Sequence, residues 1–497
     1  MSRLQYRQSK IQAKRKQTPW RDFVREICSW YPIHLYNHHW IISIYPQSWR
    51  KSNIYDGWVN TKVDWELCSR YEENSFTQSF IQSFQDLFYY TWVPWLHHYY
   101  GIENTVYANH VSNTKNAYLS FHTTGWCENV LYSLASKIHV KNIYNSTMSW
   151  IHSENVFQSL AVIHSYSIFY SRCIKNCNNI WFCNDMVWCT ECINCQRLEN
   201  QSYCIENIPY PREEYIKKKI IYLKKKTLFV HYYETMQTKA ENIASKNVSW
   251  VYCTDSEDVE NWRYSHFVHQ SRNIFFGGHP DGLSYAYDAL FTSAWSNYYG
   301  ACGVWWDSQN IYNCVSIMKW FDCYYSYYLE SCSFCLWCIG LKNKSYCILN
   351  KQYTKEEWYE KVDEIFSQME SDWILWDFFP PSMNPFYFND TAAYLIDPTF
   401  TKEEVTKLWY LRRDELIRVD IPADAQIVKT DELDQYEWYD ADWNRTIDKS
   451  ILDKVIQDPQ GNVYKIVKME LDFLIKHGLP LPRKHRLDRM KENFRIN

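Results

Sequence analysis

Glycine is scarce in this sequence, with 11 residues in a chain of 497, whereas tryptophan occurs 25 times. Glycine usually makes up about 7% of a protein, and phosphate-binding loops and dinucleotide-binding turns need several glycines at fixed spacing. The chain contains no P-loop and no G-x-G-x-x-G, G-x-S-x-G or H-E-x-x-H sequence. These absences exclude the nucleotide-binding, hydrolase and metalloprotease classes that the four motifs define. We therefore expect a protein that is not an enzyme.

Long apolar runs are also absent. No stretch of about 18 consecutive apolar residues occurs, and no signal-peptide core is present. We therefore expect a cytoplasmic protein with no membrane partner. Its 18 cysteines would then be mostly reduced thiols rather than disulfides.

What the sequence does contain is a small residue every 12 or 13 positions along two long stretches. All of these positions hold Ala, Ser, Gly or Cys. The first series is Ala108, Ser120, Ser133, Ser146, Ser159, Ser171, Cys183 and Cys195, and the second is Cys253, Ser265, Gly277, Ala289, Cys302, Cys314, Ser326 and Cys338. A short fixed period indicates a stacked array of repeats, because one such unit cannot bury its own apolar face.

Each repeat unit has the composition of a strand followed by a turn. Asn usually lies four residues before the small position and a bulky side chain two residues before it, as in residues 155–159. β-branched and aromatic residues followed by a polar bend indicate a strand and a turn. A coil of this length holds about two short strands and two turns, and stacked Asn side chains can form amide ladders. The pattern predicts a mainly β protein with α-helices, built on two tandem β-solenoids with short coils of 12–13 residues.

The two solenoids are predicted to be copies of one module that ends in a helix. The spacing C-x2-C-x2-C-x8-C occurs in both, at 189–204 and at 332–347. Pro211 and the capping-box pair Thr354 and Glu357 indicate a helix after each cysteine set. The predicted regions are a basic N-terminal and mixed α/β region at 1–100, solenoid one at 101–210, a helical linker at 211–247, solenoid two at 248–353, and a helix with an α-rich C-terminal region at 354–497.

Tryptophan takes the place expected for glycine at several turns. Trp126, Trp188 and Trp295 lie in a turn column, seven residues before a small position, where most other residues are polar. Glycine suits a left-handed turn, whereas tryptophan does not. One hypothesis is that many of these codons are UGA, which the source organism reads as glycine. The alternative is a chain that is simply rich in tryptophan.

The segment at 340–357 carries a family resemblance. It reads Gly-Leu-Lys-Asn-Lys-Ser-Tyr-Cys-Ile-Leu-Asn-Lys-Gln-Tyr-Thr-Lys-Glu-Glu and resembles the signature of a family of uncharacterised cysteine-rich proteins from ultra-small candidate-phylum bacteria. Further matching pieces lie at 107–110, 115–119, 378–380, 401–404 and 478–483. The resemblance implies a repeat protein flanked by zinc ribbons. Some relatives carry a CaiB/BaiF acyl-CoA transferase label, which no residue pattern here supports.

This sequence departs from the family pattern at three tryptophans and near its termini. Trp337, Trp376 and Trp409 stand where the relatives have glycine, in agreement with the recoding hypothesis. The chain starts past the point where the N-terminal ribbon would lie, and residues 457–461 contain no cysteine where the later knuckle would be. The terminal metal sites of the family are therefore not transferred to this sequence.

The two cysteine sets are the candidate metal ligands. They are Cys189, Cys192, Cys195, Cys204, Cys332, Cys335, Cys338 and Cys347. Four thiolates can hold zinc or an iron–sulfur cluster, and a C-x2-C pair is a usual start for such a site. The cysteines also lie at fixed offsets from the small positions, so they can instead form packing ladders, because a free cysteine behaves as a small apolar residue. Both interpretations stay open, and zinc is the candidate cofactor.

Two further features have a functional and a structural interpretation. His139, His152 and His164 stack in the turn column, where they can bind a transition metal or simply face solvent. The basic chain ends and the lysine runs at 217–219 and 224–226 can contact the phosphates of a nucleic acid or form a solvated helix face.

Three hypotheses for function follow from these features. The first is a non-enzymatic scaffold with an unidentified protein partner, built on duplicated β-solenoids and carrying structural zinc. The alternative is a nucleic-acid-associated protein of the zinc-ribbon type, which uses the basic termini. A further alternative is a metal or redox carrier that uses the cysteine sets.

Overall fold

The computed structural model describes residues 19–38, 41–46, 54–55, 80–91, 93–94, 96–225, 228–229, 317–372, 378–414, 424–441 and 444–494, together with short strands between 253 and 291 and a few single residues. The chain forms two compact units. One consists of Met1–His97 with Lys239–Arg412, and the other of His98–Thr238 with Arg413–Asn497. Most of the basic segment before residue 19, and Lys226, Gly277, Trp295, Cys302, Cys314 and Trp376, lie outside the described residues.

The helices of the described residues are short. They are α1 (Trp20–Glu26), α2 (Phe80–Tyr90), α3 (Arg212–Leu223), α4 (Lys355–Ser371), α5 (Ala392–Ile396), α6 (Lys402–Lys407), α7 (Lys468–His477) and α8 (Arg486–Phe494). Single 3-10 turns lie at Cys28–Trp30, Pro381–Met383 and Phe388–Asp390, with longer ones at Thr430–Tyr436 and Lys449–Asp453. Within the part of the chain that the structure describes, no helix has the length and apolarity needed to cross a membrane.

The second unit contains a β-solenoid, which confirms the predicted mainly β architecture with added helices. Short parallel strands pair coil to coil at the predicted period, as Glu154 pairs with Tyr166 and Leu160 with Arg172. One stack contains Lys141–Tyr144, Glu154–Phe157, Tyr166–Phe169, Asn178–Trp181, Thr190–Ile193 and Ser202–Ile205. The other contains Leu134–Lys137, Thr147–Trp150, Leu160–Ile163, Arg172–Lys175, Asn184–Val187 and Gln196–Glu199. The long strand Tyr107–Leu131 joins both stacks, Ile102–Glu103 pairs with it, and Ile208–Pro209 closes the far end.

The coils turn by a three-residue rule that the sequence analysis did not predict. Every third residue from Asn155 to Glu206 has a positive φ angle, and none of them is glycine. The backbone therefore repeats two extended residues and one left-handed residue, four times in each 12-residue coil. Asn tolerates this conformation best after glycine, which explains why it recurs. Where a coil has 13 residues, the extra one is also left-handed, as in the pair Ile151 and His152.

The predicted Asn ladder is confirmed at the start of this solenoid. The side-chain amide of Asn116 donates to Oδ1 of Asn129 over 2.9 Å, and Asn129 donates to Asn142 over 2.8 Å. Asn142 continues the ladder to Asn155 over 2.9 Å. Each bond joins neighbouring coils, so the ladder adds side-chain hydrogen bonds to the backbone pairing of the strands.

The C-terminal part of the second unit covers one outer face of its solenoid. Outward aromatic residues of the first stack, such as Tyr144 and Phe157, lie in one apolar core with Leu471 and Phe473 of α7. The Tyr144 and Phe473 ring centroids are 4.2 Å apart. This region contains strands as well as helices, at Ile427–Lys429, Glu437–Tyr439, Arg445–Ile447, Val455–Gln457 and Val463–Tyr464.

The first unit contains a short parallel array at the end of the range predicted for solenoid two, in which residues 292–316 lie outside the described residues. The strands Ile317–Phe321, Leu329–Leu336 and Ser345–Ile348 pair in parallel, and Lys351–Gln352 closes them. Every third residue from Asp322 to Leu349 again has a positive φ angle. Further strands of this unit lie at Tyr36–His38, Ile41–Ser43, Ile54–Tyr55, Val93–Pro94, Cys253–Thr254, Glu257–Glu260, Ser265–His266, His269–Arg272, Ile274–Phe276 and Ala289–Phe291. Aromatic residues cover this array, with Trp337 packed against Tyr325 and Phe84.

Candidate functional site: the cysteine-lined solenoid ends

All eight predicted ligand cysteines are buried thiols. The structure brings Cys189, Cys192, Cys195 and Cys204 together in the last coils of the first solenoid. In each set, two cysteines occupy corners of the coil and two occupy the inward position of a strand. The two kinds of position give the thiol different surroundings.

The corner thiols belong to hydrogen-bonded columns that also contain serine. Ser159 Oγ donates to the carbonyl of Phe157 over 2.8 Å and accepts from the N–H of Ser171 over 3.1 Å. Three coils further, Cys195 Sγ donates to the carbonyl of Ile193 and accepts from the N–H of Asn207, both over 3.3 Å. Hydroxyl and thiol thus perform the same task, which is to satisfy backbone groups at a corner where the strands no longer pair.

Cys189 lies in a second column of this kind. Its N–H donates to Cys177 Sγ over 3.2 Å, and the N–H of Cys177 donates to Ser165 Oγ over 3.0 Å. The thiol of Cys189 donates to the carbonyl of Val187 over 3.3 Å. The predicted packing ladder therefore exists at both corners, and its members hydrogen-bond to the backbone as well as filling space.

The strand cysteines continue an aliphatic column. Cys192 pairs with Ile180 on one side and with Cys204 on the other, and Ile180 pairs with Ile168. All four side chains lie in the interior apolar cluster of the solenoid. At this position the thiol replaces a branched aliphatic side chain.

An asparagine closes the last coil of each array. Asn207 has a φ angle of 65°, and its side chain accepts from the N–H of Gln196 over 2.8 Å and donates to the Gln196 carbonyl over 3.0 Å. Asn350, with a φ angle of 66°, makes the same pair of bonds to Ile339, both over 2.8 Å. The side-chain amide thus supplies the pairing that a further coil would have provided.

The second cysteine set repeats this arrangement. Cys338 accepts from the N–H of Asn350 over 3.4 Å, and its own N–H donates to Ser326 Oγ over 3.1 Å. Cys335 pairs with Cys347 on neighbouring strands. Cys332 Sγ donates to the carbonyls of Glu330 and Leu341, both over 3.4 Å.

Neighbouring thiols and burial shift the pKa values of the cysteines in both sets. In the second set, bonding to Cys335 and then burial raise the pKa of Cys332 and of Cys347. Burial also raises the pKa of Cys338. A thiol with a raised pKa is neutral at pH 7, and it is then neither a strong nucleophile nor a metal ligand.

Cys192 is the central donor of the first set. Its bonds to Cys189 and Cys195, together with burial, raise the pKa of Cys192. The bonds that Cys189 accepts from Cys177 and Cys192 lower the pKa of Cys189, and bonds from Cys183 and Cys192 lower that of Cys195.

The donor set matches zinc in ligand type and number, with four soft thiols in each array end. Within the described residues, no three Cys, His, Asp or Glu side chains are arranged as a metal-binding group. Zinc would have to replace the hydrogen bonds from the thiols to backbone carbonyls and release the thiol protons. Zinc binding by the two cysteine sets stays a prediction.

The three histidines lie where the sequence placed them, on the turns of successive coils. The rings of His139 and His152 are 5.1 Å apart and nearly parallel, and those of His152 and His164 are 5.9 Å apart. His152 and His164 are exposed. We call these three residues the histidine row.

The lysine run at 217–219 lies on α3 and is partly paired. Lys219 Nζ is 2.8 Å from Glu191 Oε2, and Lys218 Nζ is 3.5 Å from Glu214 Oε1. Sequence analysis treated this segment only as a basic linker. It missed that Ile216 and Ile220, one helical turn apart, are both exposed. Their i, i+4 spacing was the available signal.

The fold and the site together define a β-solenoid protein with cysteine-lined ends and added helices. Comparison with protein-family models, with curated proteins and with solved structures found no match for the chain. The particular function therefore has to be argued from the chain's own surfaces.

Proposed function

We propose that this protein is a non-enzymatic scaffold that presents a rigid solenoid face to a protein partner. The observation that carries the proposal is the histidine row, a straight series of aromatic side chains spaced by one coil. Aromatic groups on a fixed surface lose little conformational entropy when they bind. A partner segment that runs along the solenoid would contact successive rings.

The rigidity of this face comes from hydrogen bonds between coils. The coil that contains His152 is joined to its neighbours by strand pairing, by the Asn142–Asn155 amide bond and by the corner serines. Another face of the same solenoid is covered by the C-terminal region of its own unit. The histidine row therefore lies on a surface that is both ordered and accessible.

Binding is favoured over catalysis because of the state of the thiols. The thiols of both sets are buried and so are not accessible to a substrate, and Cys189 and Cys195 donate to the carbonyls of Val187 and Ile193. In this proposal the cysteine sets stabilise the array ends, either as ladders or by holding structural zinc. The zinc-ribbon nucleic-acid alternative and the carrier alternative assign them other tasks.

The test is cross-linking and pull-down from native cells with the full chain. One variant carries His139→Ser, His152→Ser and His164→Ser, and a control carries Tyr166→Ser and Asn178→Ser at exposed strand positions of the same solenoid. We expect proteins that the wild type and the control retain to be lost by the histidine variant. Retention of the same proteins by all three forms contradicts the proposal. Salt-sensitive retention of nucleic acid in place of protein favours the nucleic-acid alternative.

A further inference from the structure

Helix α3 presents an apolar stripe that its own unit leaves uncovered. Ile216, Ile220 and Leu223 follow one another at helical spacing, and Ile221 lies beside them. The exposed fractions of Ile216, Ile220 and Ile221 are 46%, 48% and 64%. Isolated exposed apolar residues are ordinary, whereas several on one short helix mark an interaction surface.

The stripe forms one wall of a groove. The groove has a volume of about 370 Å³ and runs between α3 and the end of the first solenoid. Tyr203 and Glu191 lie on the solenoid side, and Ile216, Ile220 and Leu223 lie on the helix side. A concave apolar surface of this kind admits the side chains of an amphipathic helix.

The charge around the groove is positive on the helix side. Arg212, Lys217, Lys224 and Lys225 outnumber Glu213 on and just after α3, and the other acid of this helix, Glu214, is paired with Lys218. The lining acid Glu191 is already paired with Lys219 at 2.8 Å. Electrostatic complementarity therefore calls for an occupant with acidic residues beside its apolar side chains.

The second array end has a helix at the same place without this stripe. Counted from the shared cap, Tyr359, Asp363 and Glu364 of α4 stand where α3 has Ile216, Ile220 and Ile221. Polar residues at these positions are thus compatible with the module. The three isoleucines are not required by the cap, and a separate task explains them.

We propose that the α3 groove binds an acidic amphipathic helix of a partner protein. Apolar side chains of that helix would enter between Tyr203 and the stripe, and its carboxylates would face Arg212 and the α3 lysines. A membrane surface fits less well, because the stripe lines a concavity rather than a flat face. The groove shares no residue with the histidine row, so each surface can be tested without the other.

The test uses the full chain and a labelled synthetic peptide of about 18 residues, long enough for several helical turns, with leucine at i, i+4 and i+7 and glutamate between. Fluorescence anisotropy measures its binding to the wild type and to a variant with Ile216→Tyr, Ile220→Asp and Ile221→Glu, the residues of α4. We expect binding by the wild type that weakens with salt and falls by about tenfold or more in the variant. The thermal midpoint should not fall, because the changed side chains are exposed.

Three outcomes overturn the proposal. They are no peptide binding, equal binding by wild type and variant, and equal binding of a scrambled peptide of the same composition. Vesicles of anionic phospholipid and a single-stranded oligonucleotide are run in parallel, and binding of either in place of the peptide also overturns it. None of these results bears on the histidine-row pull-down, so failure of the groove and failure of the scaffold proposal remain distinguishable.

Discussion

The two array ends, at 189–223 and at 332–371, share a cap and differ in the helix that follows it. At each end a terminal Asn bonds to the backbone of the coil below, a short antiparallel strand folds back, and a buried aromatic residue follows in the first helical turn. That residue is Tyr215 in α3 and Trp358 in α4. Beyond it, α4 buries Val362 and Phe366, whereas α3 has Lys219 one turn after its tyrosine.

This difference shows which parts of the module are set locally. The cap depends on hydrogen bonds between residues close in sequence, so both copies keep it. The helix depends on what its outer face meets, so α4 buries an apolar face and α3 exposes one. A comparison of equivalent substitutions at the two ends separates local from tertiary stabilisation.

The largest effect is expected for Trp358→Ala. The indole is fully buried, contacts the rings of Phe334 and Tyr346, and donates from Nε1 to the carbonyl of Cys347 over 3.3 Å. Truncation of such a side chain costs about 3–5 kcal/mol. Tyr215→Ala should cost less, because α3 adds fewer buried apolar contacts.

Hydrogen exchange measured by mass spectrometry on peptides from 189–223 and 332–371 gives the two costs separately, because each end is read from its own amides. Trp358→Phe is the matched control and should retain most of the protection. Equal losses of amide protection for Trp358→Ala and Tyr215→Ala would show that α3 and α4 stabilise their array ends equally, which contradicts the expected difference.

The sequence predicted the repeat but not the rule by which the coils turn. The small positions from Ser133 to Cys195 are corner residues whose Oγ or Sγ binds backbone groups, and size alone revealed them, as at Ser159 and Cys195. Each 12-residue coil has four left-handed positions, which form four columns along the solenoid. Residue composition revealed two of these columns, those of Asn155 and His152. The columns of Gln158 and Ala161 were missed, because their residue types vary and their φ angles are fixed by the neighbouring coils.

The sequence predicted which cysteines form the candidate site but not what their thiols bond to. Spacing placed Cys189, Cys192 and Cys195 in one coil, and that is where the structure has them. Spacing alone could not distinguish a thiol that bonds to carbonyls from one that binds a metal. The i, i+4 spacing of Ile216 and Ile220 indicates an apolar helix face, but whether that face is exposed depends on what covers α3.

A smaller and equal effect is expected when either terminal asparagine is replaced. Asn207→Gly and Asn350→Gly keep the left-handed backbone, since glycine adopts it at little cost, but remove two hydrogen bonds each. A loss of about 1–3 kcal/mol is expected at both ends. The corresponding Asn→Asp variants retain the acceptor oxygen and should lose less. Protection that falls at one end only would mean that the caps are not equivalent.

The cysteines should respond according to their column. Cys195→Ala and Cys338→Ala remove the acceptor for the N–H groups of Asn207 and Asn350, at a cost of about 0.5–1.5 kcal/mol, whereas Cys195→Ser should keep the ladder. Cys192→Val extends the aliphatic column of Ile168 and Ile180 and should cost less than about 1.5 kcal/mol. Metal analysis of anaerobically purified protein completes the test. Bound zinc that is lost in Cys192→Val establishes the metal site, and a wild type without zinc leaves the ladder alone.

Helix ends give independent support for glycine at some tryptophan positions. At the end of α7, Gly478 has a φ angle of 65°, and the N–H of Leu479 bonds to the carbonyl of Leu474 over 2.9 Å. At the end of α6, Trp409 has a φ angle of 68°, and the N–H of Tyr410 bonds to the carbonyl of Val405 over 3.1 Å. This is a Schellman end, where glycine is the usual residue.

The smallest effect, with the opposite sign, is expected for Trp188→Gly. Trp188 precedes the first cysteine set as Ser331 precedes the second, with φ angles of 53° and 52°. The Trp188 side chain is exposed, so its removal forfeits little packing and relieves a left-handed residue, a gain of about 1 kcal/mol. Ser331→Gly is the matched control and should gain a similar amount. Loss of stability in Trp188→Gly would show that the indole packs usefully at this corner.

Trp337 allows a stricter test of the codon hypothesis, because its ring is buried. It stacks on Tyr325 at 4.8 Å in the aromatic cover of the second array, so Trp337→Gly should destabilise the chain although its φ angle is also left-handed. Peptide mass spectrometry of the protein from native cells distinguishes the cases. Glycine at 188 and 409 with tryptophan at 337 would mean that two different codons are used. The codon at 188 and 409, where the ring has no packing role, would be read as glycine, and the codon at 337 as tryptophan. Glycine at all three positions would mean that Tyr325 packs against another neighbour in the native chain.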